Sequence, residues 1–297
     1  MKRVLTAAIL IPLVLLAVFK APNWLFVGLV ALIAILALQE YLVLAAGYGY
    51  EPFRTLSFML MLTFFGMAVW GTWTPSPDGV SVLMALVFFF ALSPFVFLCA
   101  GMTRKDMRSV LPGAAISYVA LPYLGFSLAC IVFLRIMIAG WFFVLFTFFA
   151  VWVGDTATYY VGRSIGRTKF AARISPKKTW EGAIASVAGS VIVGILLVQF
   201  APEISRGLVK INLLSTPEFF GNVNYSVTAF AAIIINVAGQ LGDLLESLIK
   251  RGAGVKDSGS LLPGHGGILD RIDALLFAAP VALLIFGSLR ENFVRFP

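Results

Sequence analysis

The sequence predicts an all-α, polytopic integral membrane protein, a helical bundle of about nine transmembrane helices with its N-terminus in the cytoplasm. Three observations carry that reading. Of 297 residues, 60% are hydrophobic and only 12% charged, about half the charge of an ordinary soluble domain, and the mean hydropathy is +0.97. Apolar runs near or above the ~18 residues needed to span a bilayer recur along the chain; they are continuous, not alternating as barrel strands would be. The Lys and Arg residues fall mostly into every second loop, the asymmetry that orients membrane helices.

The runs lie at 4–19, 24–46, 56–73, 80–100, 110–134, 137–153, 183–201, 226–249 and 270–289. The first, within MKRVLTAAILIPLVLLAVFK, begins like a signal peptide. No small-x-small cleavage site precedes the second run, so an uncleaved helix is expected. The fifth contains Pro112 and Pro122, which predict a kink or a split into two pieces. With the N-terminus inside, sixteen of the 22 Lys and Arg residues face the cytoplasm. The outer side receives Lys20, Arg135, Arg206, Lys210, Arg290 and Arg295. Cys99 and Cys130 sit inside apolar runs and read as small buried hydrophobes.

Charge separates the two halves. The N-terminal transmembrane region, 1–138, is almost pure hydrocarbon with short polar turns. In 139–297, two polar stretches, 154–182 and 243–273, hold almost half of all charged residues, and both fall on the cytoplasmic side. On a helix, Asp243, Glu246, Ser247 and Lys250 share one face. Asp270 and Asp273 stand three apart at the start of the last run. One Asp there would be an ordinary helix N-terminal residue. Four acids bracketing one loop suit oxygen coordination of Mg²⁺, with room for a second cation.

The loop between them, KRGAGVKDSGSLLPGHGG, carries Lys250, Arg251 and Lys256 among glycines, and glycine lets backbone N–H groups approach an anion. It lacks the order of a Walker A loop. His265 is the only histidine; without a second His or a nearby Cys it suits a phosphate hydrogen bond or general-acid work rather than zinc. The other stretch runs from Asp155 to SPKKTWEG, where Ser175, Lys177, Lys178, Thr179 and Glu181 mix donors and acid in the way a triphosphate would use. Trp180 reads as an interfacial anchor.

The segment from Ser247 to Asp273, SLIKRGAGVKDSGSLLPGHGGILDRID, resembles the signature of the phosphatidate cytidylyltransferases, or CDP-diacylglycerol synthases. Ser247, Lys250, Arg251, Lys256, Asp257, Gly259, Leu262, Pro263, His265, Gly266, Gly267, Asp270, Arg271 and Asp273 fill the pattern. GDTATYYVGR and SPKKTWEG look like the family's second shared block. The resemblance implies a nucleotidyltransferase that makes CDP-diacylglycerol and pyrophosphate from CTP and phosphatidate. The reaction would be Mg²⁺-dependent, at the cytoplasmic face of the inner membrane, with 139–297 as the catalytic region.

By the same resemblance, Asp243, Asp270 and Asp273 look like the acidic metal set, with Glu246 beside them on the Asp243 helix. Lys250 and His265 join the aspartates as catalytic groups, and Ser247, Arg251, Lys256, Gly266 and Gly267 face substrate. Arg271 either pairs with the aspartates or touches substrate. Asp155, Ser175, Lys177, Lys178 and Glu181 are assigned to nucleotide or metal contact. The partners are CTP, phosphatidate and membrane lipids, with no nucleic acid; monomer and homodimer are both open. The D-G-x₂-A-R…G-x₃-D-x₃-D pattern of the CDP-alcohol phosphotransferases is absent, and the one-sided clustering of acids argues against a transport pathway.

Overall fold

In a computed structural model, residues 12–73, 79–214, 224–259, 261 and 266–293 are described. They form α1 (12–20), α2 (Asn23–Ala46), α3 (Arg54–Trp73), α4 (Gly79–Gly101), α5 (Val110–Ala120), α6 (Ser127–Ile136), α7 (Gly140–Ile165), α8 (Trp180–Lys210), α9 (Tyr225–Gly252) and α10 (Leu269–Leu289). Among the described residues, seven spans are long and apolar enough to cross a membrane, and Arg54–Val69 is a shorter apolar helix. The chain is an all-α, multi-pass membrane protein. Most of the run expected at 4–19 lies outside the described residues.

Three helices differ from their expected extent for identifiable reasons. The proline-bearing fifth run stays one span, Met107–Ile136. A π turn over Leu121–Phe126 absorbs Pro122, because the wider turn accommodates a residue that can donate no N–H. Helix α7 continues twelve residues past the expected 153, through Asp155 to Ile165. Helix α8 starts earlier, after Thr179, whose hydroxyl accepts from the Gly182 amide as an N-cap.

The chain forms two compact units. The first comprises Pro22–Val132 and Leu248–Ile272, so the loop after α9 and the first turn of α10 belong with α2–α5. Its core holds Leu38, Leu42, Met61, Phe97, Leu121 and Leu124, all essentially inaccessible. Helix α2 ends in a turn through Gly49, whose φ of +84° only glycine adopts without strain.

The second unit comprises the described part of Ala8–Ala21, then Phe133–Ser247, and the described residues from Asp273 on. Phe143, Phe146, Phe286 and Phe293 pack together in its core, mostly edge to face, with the Phe143 and Phe286 rings 4.6 Å apart. Lipid is as apolar as these side chains, so close packing rather than expulsion from water must hold the helices together. Helix α8 supplies it with a small residue every fourth position: Gly182, Ser186, Ser190 and Gly194 are all buried. Gly154 of α7 meets this stripe so closely that a Cβ there would stand 2.7 Å from Ser186 Oγ and 2.9 Å from Ser190 Oγ. That contact sets Asp155, one residue on, beside the start of α8. Arg135 ends its span by donating Nε–H to Val18 O at 3.0 Å and a second N–H to Ala21 O, which satisfies the carbonyl end of α1.

Candidate active site

Two polar clusters emerge, one in each unit. In the second unit, the C-terminal halves of α7 and α9 and the residues leading into α8 surround a pocket lined by Asp155, Thr158, Phe170, Lys178, Ala183, Gln240 and Asp243. Lys178 is the one basic residue of its lining. Its side chain is only 14% exposed, and its Nζ lies 2.8 Å from Asp243 Oδ2 while also donating to Gln240 O at 3.3 Å. The carboxylate set against this enclosed amine offsets part of the cost of taking it out of water. Ser247, one turn further along α9, donates to Asp243 Oδ1 at 3.4 Å.

A buried network underlies the pocket. Gln240 Nε2 donates to Asn236 Oδ1 (2.7 Å), and Asn236 Nδ2 donates to Ser186 Oγ (2.9 Å) and Ala150 O (3.2 Å). The two bonds from Asn236 cross between helices; such bonds contribute on average about 0.6 kcal/mol each in a bilayer, but their directionality fixes the rotation of α9 against α7 and α8. Asp243 is therefore held facing Lys178. On the other side of α9, Gly242 lies against the start of α10: a Cβ there would come within 2.6 Å of Asp273 O. The Asp273 carboxylate accepts from the Ala274 amide at 2.8 Å.

The stretch between α7 and α8 closes on itself. Trp180 N donates to Thr168 O (2.9 Å), the Glu181 carboxylate accepts from Thr168 N (3.1 and 3.2 Å), and the Trp180 and Phe170 rings stack 5.1 Å apart. Glu181 thus ties down the segment that delivers Lys178. Ser175 is half-buried and Lys177 exposed, next to Lys178 in the same segment.

The first unit holds the second cluster. Asp270 Oδ1 lies 2.6 Å from Lys250 Nζ, and the two side chains are 8% and 11% exposed. The same carboxylate accepts from Ser258 N (3.0 Å) and Gly267 N (2.8 Å). Beside it, Glu40 of α2, 6% exposed, accepts from Ser258 Oγ, Ile268 N and Leu269 N, each at 2.9 Å. Two of the loop glycines are thereby explained. Gly266 has φ +80°, and a Cβ there would lie 2.6 Å from Asp270 Oδ2. A Cβ on Gly267 would overlap Ser258 Oγ and Glu40 Oε2. The amides of Ser258, Gly267, Ile268 and Leu269 serve the protein's own carboxylates. Gly267→Ala should accordingly cost about 1–3 kcal/mol through overpacking, read as a fall of several degrees in the thermal midpoint of detergent-solubilised protein. An unchanged midpoint would mean that the loop has room there.

Of the expected site residues, Asp155, Lys178 and Asp243 share the pocket, and Lys250, Gly266, Gly267 and Asp270 share the loop cluster. Glu246 is fully buried in α9. Arg251 is exposed and donates to Val255 O at 3.1 Å within its own loop; Lys256 and Arg271 are exposed. His265 lies outside the described residues. Sequence reasoning missed Gln240, Thr158 and Phe170 in the pocket, and Glu40 in the loop cluster. For Glu40 the signal was present: it is the one charged residue in the run 24–46, and a carboxylate at such a depth is retained for a reason.

Comparison with known proteins places this geometry in context. The sequence profile described as "Cytidylyltransferase family" matches residues 1–289. A phosphatidate cytidylyltransferase of Thermotoga maritima is 33% identical over 294 residues, covering 99% of this chain and 98% of the relative. One of Brucella suis is 37% identical over 200 residues, 67% of each chain. One of Synechocystis is 32% identical over 282 residues, 87% of each.

Proposed function

The chain belongs to the cytidylyltransferase family, and from that premise we propose that it makes CDP-diacylglycerol and pyrophosphate from CTP and phosphatidate. We place the reaction at the cytoplasmic face of the inner membrane, where the positive-inside pattern puts both polar stretches. The observation that carries the reading is the enclosed Lys178, clamped by Asp243 and facing the pocket with Asp155.

The chemistry asks for little beyond charge and position. A phosphate oxygen of phosphatidate attacks the α-phosphorus of CTP; a new P–O bond forms, the bond to the β-phosphate bridge breaks, and pyrophosphate leaves. The nucleophile is already anionic, so no serine, cysteine or base is needed to generate it. The difficulty is to bring two polyanions together and to stabilise charge on the leaving group. Lys178 does this as a fixed cation: Asp243 and the Gln240 carbonyl hold its ammonium in place before substrate arrives, so little reorganisation is left for the transition state. Phe170 and Thr158 give the pocket one aromatic wall and one hydroxyl.

Asp155 and Asp243 also fit Mg²⁺, which takes one or two carboxylates and completes its shell with water and substrate phosphate oxygens. Among the described residues, no group of three His, Cys, Asp or Glu could hold an ion alone, so phosphate oxygens would be part of the shell. The ion, when bound, supplies positive charge against the triphosphate. Asp270 already satisfies Lys250 and two backbone amides, and Glu246 is buried, so we assign these two to bracing the helices. Lys256 and Arg251, exposed at the loop, suit the lipid phosphate. The exposed apolar faces of the helices keep the acyl chains in hydrocarbon.

The test is direct. Purified protein in detergent, given CTP, phosphatidate and Mg²⁺, should release pyrophosphate and form a CDP-lipid; no release with either substrate omitted completes the expectation. Absence of pyrophosphate with all three present would overturn the assignment.

A further inference from the structure

We propose that Glu40 is a positioning residue for this reaction: from α2 it fixes the substrate-facing loop and the start of α10. The inference rests on the function proposed above. A carboxylate buried in the C-terminal third of an apolar helix is costly, and an aliphatic side chain would fill the same space without that cost. What an aliphatic side chain cannot do is accept hydrogen bonds. Glu40 accepts three, each at 2.9 Å, from Ser258 Oγ, Ile268 N and Leu269 N. Two of these are the amides at the first turn of α10, groups that no helix satisfies internally. Gly259 and Gly267 leave space for it; a Cβ on Gly259 would stand 2.7 Å from Glu40 Oε1.

Ser258 makes the connection to the loop cluster. Its hydroxyl serves Glu40, and its amide serves Asp270, which in turn holds Lys250. A displacement at Glu40 therefore reaches Asp270 and Lys250 through one residue. The turn that follows α2 makes two further contacts, one with the last turn of α9 and one with the first loop residue after it. Tyr48 Oη donates to Ile249 O at 2.9 Å, and Gly47 packs so that a Cβ there would lie 3.2 Å from Ala253 O. Helix α2 is thus the mould on which the α9–α10 loop is set, and Glu40 is its only charged group.

The test is Glu40→Gln, with Ser258→Ala as the gentler second variant, in full-length protein. Glutamine keeps one acceptor and turns an NH₂ toward donors. Turnover per folded molecule should fall about a hundredfold in Glu40→Gln, the scale of a roughly 1 Å misplacement, and less in Ser258→Ala. The KM for CTP should stay as in the unsubstituted protein, because the Lys178 pocket does not include Glu40. Amide exchange should accelerate at Ser258, Ile268 and Leu269. Unchanged turnover in Glu40→Gln would overturn the proposal. So would a loss that disappears once activity is divided by the folded fraction, since that is plain destabilisation. If the unsubstituted protein makes no pyrophosphate, the reaction assignment fails by itself; the exchange measurement still judges the clasp, and unchanged exchange at those amides overturns it.

Discussion

Asp243→Asn should leave a folded membrane protein that releases pyrophosphate roughly 10²–10³-fold more slowly than the unsubstituted chain, the scale of losing one preorganised charge-stabilising group. The carboxylate carries two duties that an amide cannot share. It holds the Lys178 ammonium at 2.8 Å, and in the proposed reaction it gives Mg²⁺ a charged oxygen. Asparagine keeps the shape and the hydrogen bond from Ser247 but offers Lys178 only a dipole. The apparent Mg²⁺ requirement should rise together with the fall in rate, and Lys178→Met should lower the rate without the same shift in Mg²⁺ dependence. Pyrophosphate release measured against CTP and Mg²⁺ separates the two effects. A rate within twofold of the unsubstituted protein, with Mg²⁺ dependence unchanged, would remove this pocket from the reaction.

Why Asp243 and Lys178 face one another was not readable from the sequence. They are 65 positions apart, and their meeting depends on which faces of α7, α8 and α9 pack. That choice is made by Gly154, the Ser186 and Ser190 stripe, and Asn236, residues whose types are common in any membrane helix. The helices themselves were legible, because apolar length is a one-dimensional property; their ends were less so, as the extension of α7 through Asp155 shows. The polar stretches and the signature around Asp270 were legible too. The loop glycines were ambiguous in a specific way. Glycine permits close approach of an amide to any anion, and nothing in KRGAGVKDSGSLLPGHGG says whether that anion is a substrate phosphate or the protein's own Asp270 and Glu40. Glu40, over 200 residues from its partners, could be noticed as a charge out of place but not assigned a contact.

Asp270→Asn is the substitution that tells a brace from a metal ligand. In the structure the carboxylate is saturated by Lys250 Nζ, Ser258 N and Gly267 N, with both members of the ion pair almost wholly enclosed. An asparagine would accept with one atom and present N–H donors with the other to a lysine and two amides that also donate. Breaking one side of a buried pair costs about 3–5 kcal/mol, and at roughly 2–4 °C per kcal/mol for chains of 150–250 residues the thermal midpoint should fall by about 10 °C. Turnover should fall with it, because the loop that carries Lys256 is anchored there. Replacing both partners, Lys250→Met with Asp270→Leu, removes the uncompensated charge and should recover part of the midpoint, the remainder being lost with the acceptor for the Ser258 and Gly267 amides, while activity stays low. If Asp270→Asn instead keeps its midpoint and loses turnover with a shifted Mg²⁺ requirement, the carboxylate is a ligand and the ion pair with Lys250 is what Mg²⁺ displaces.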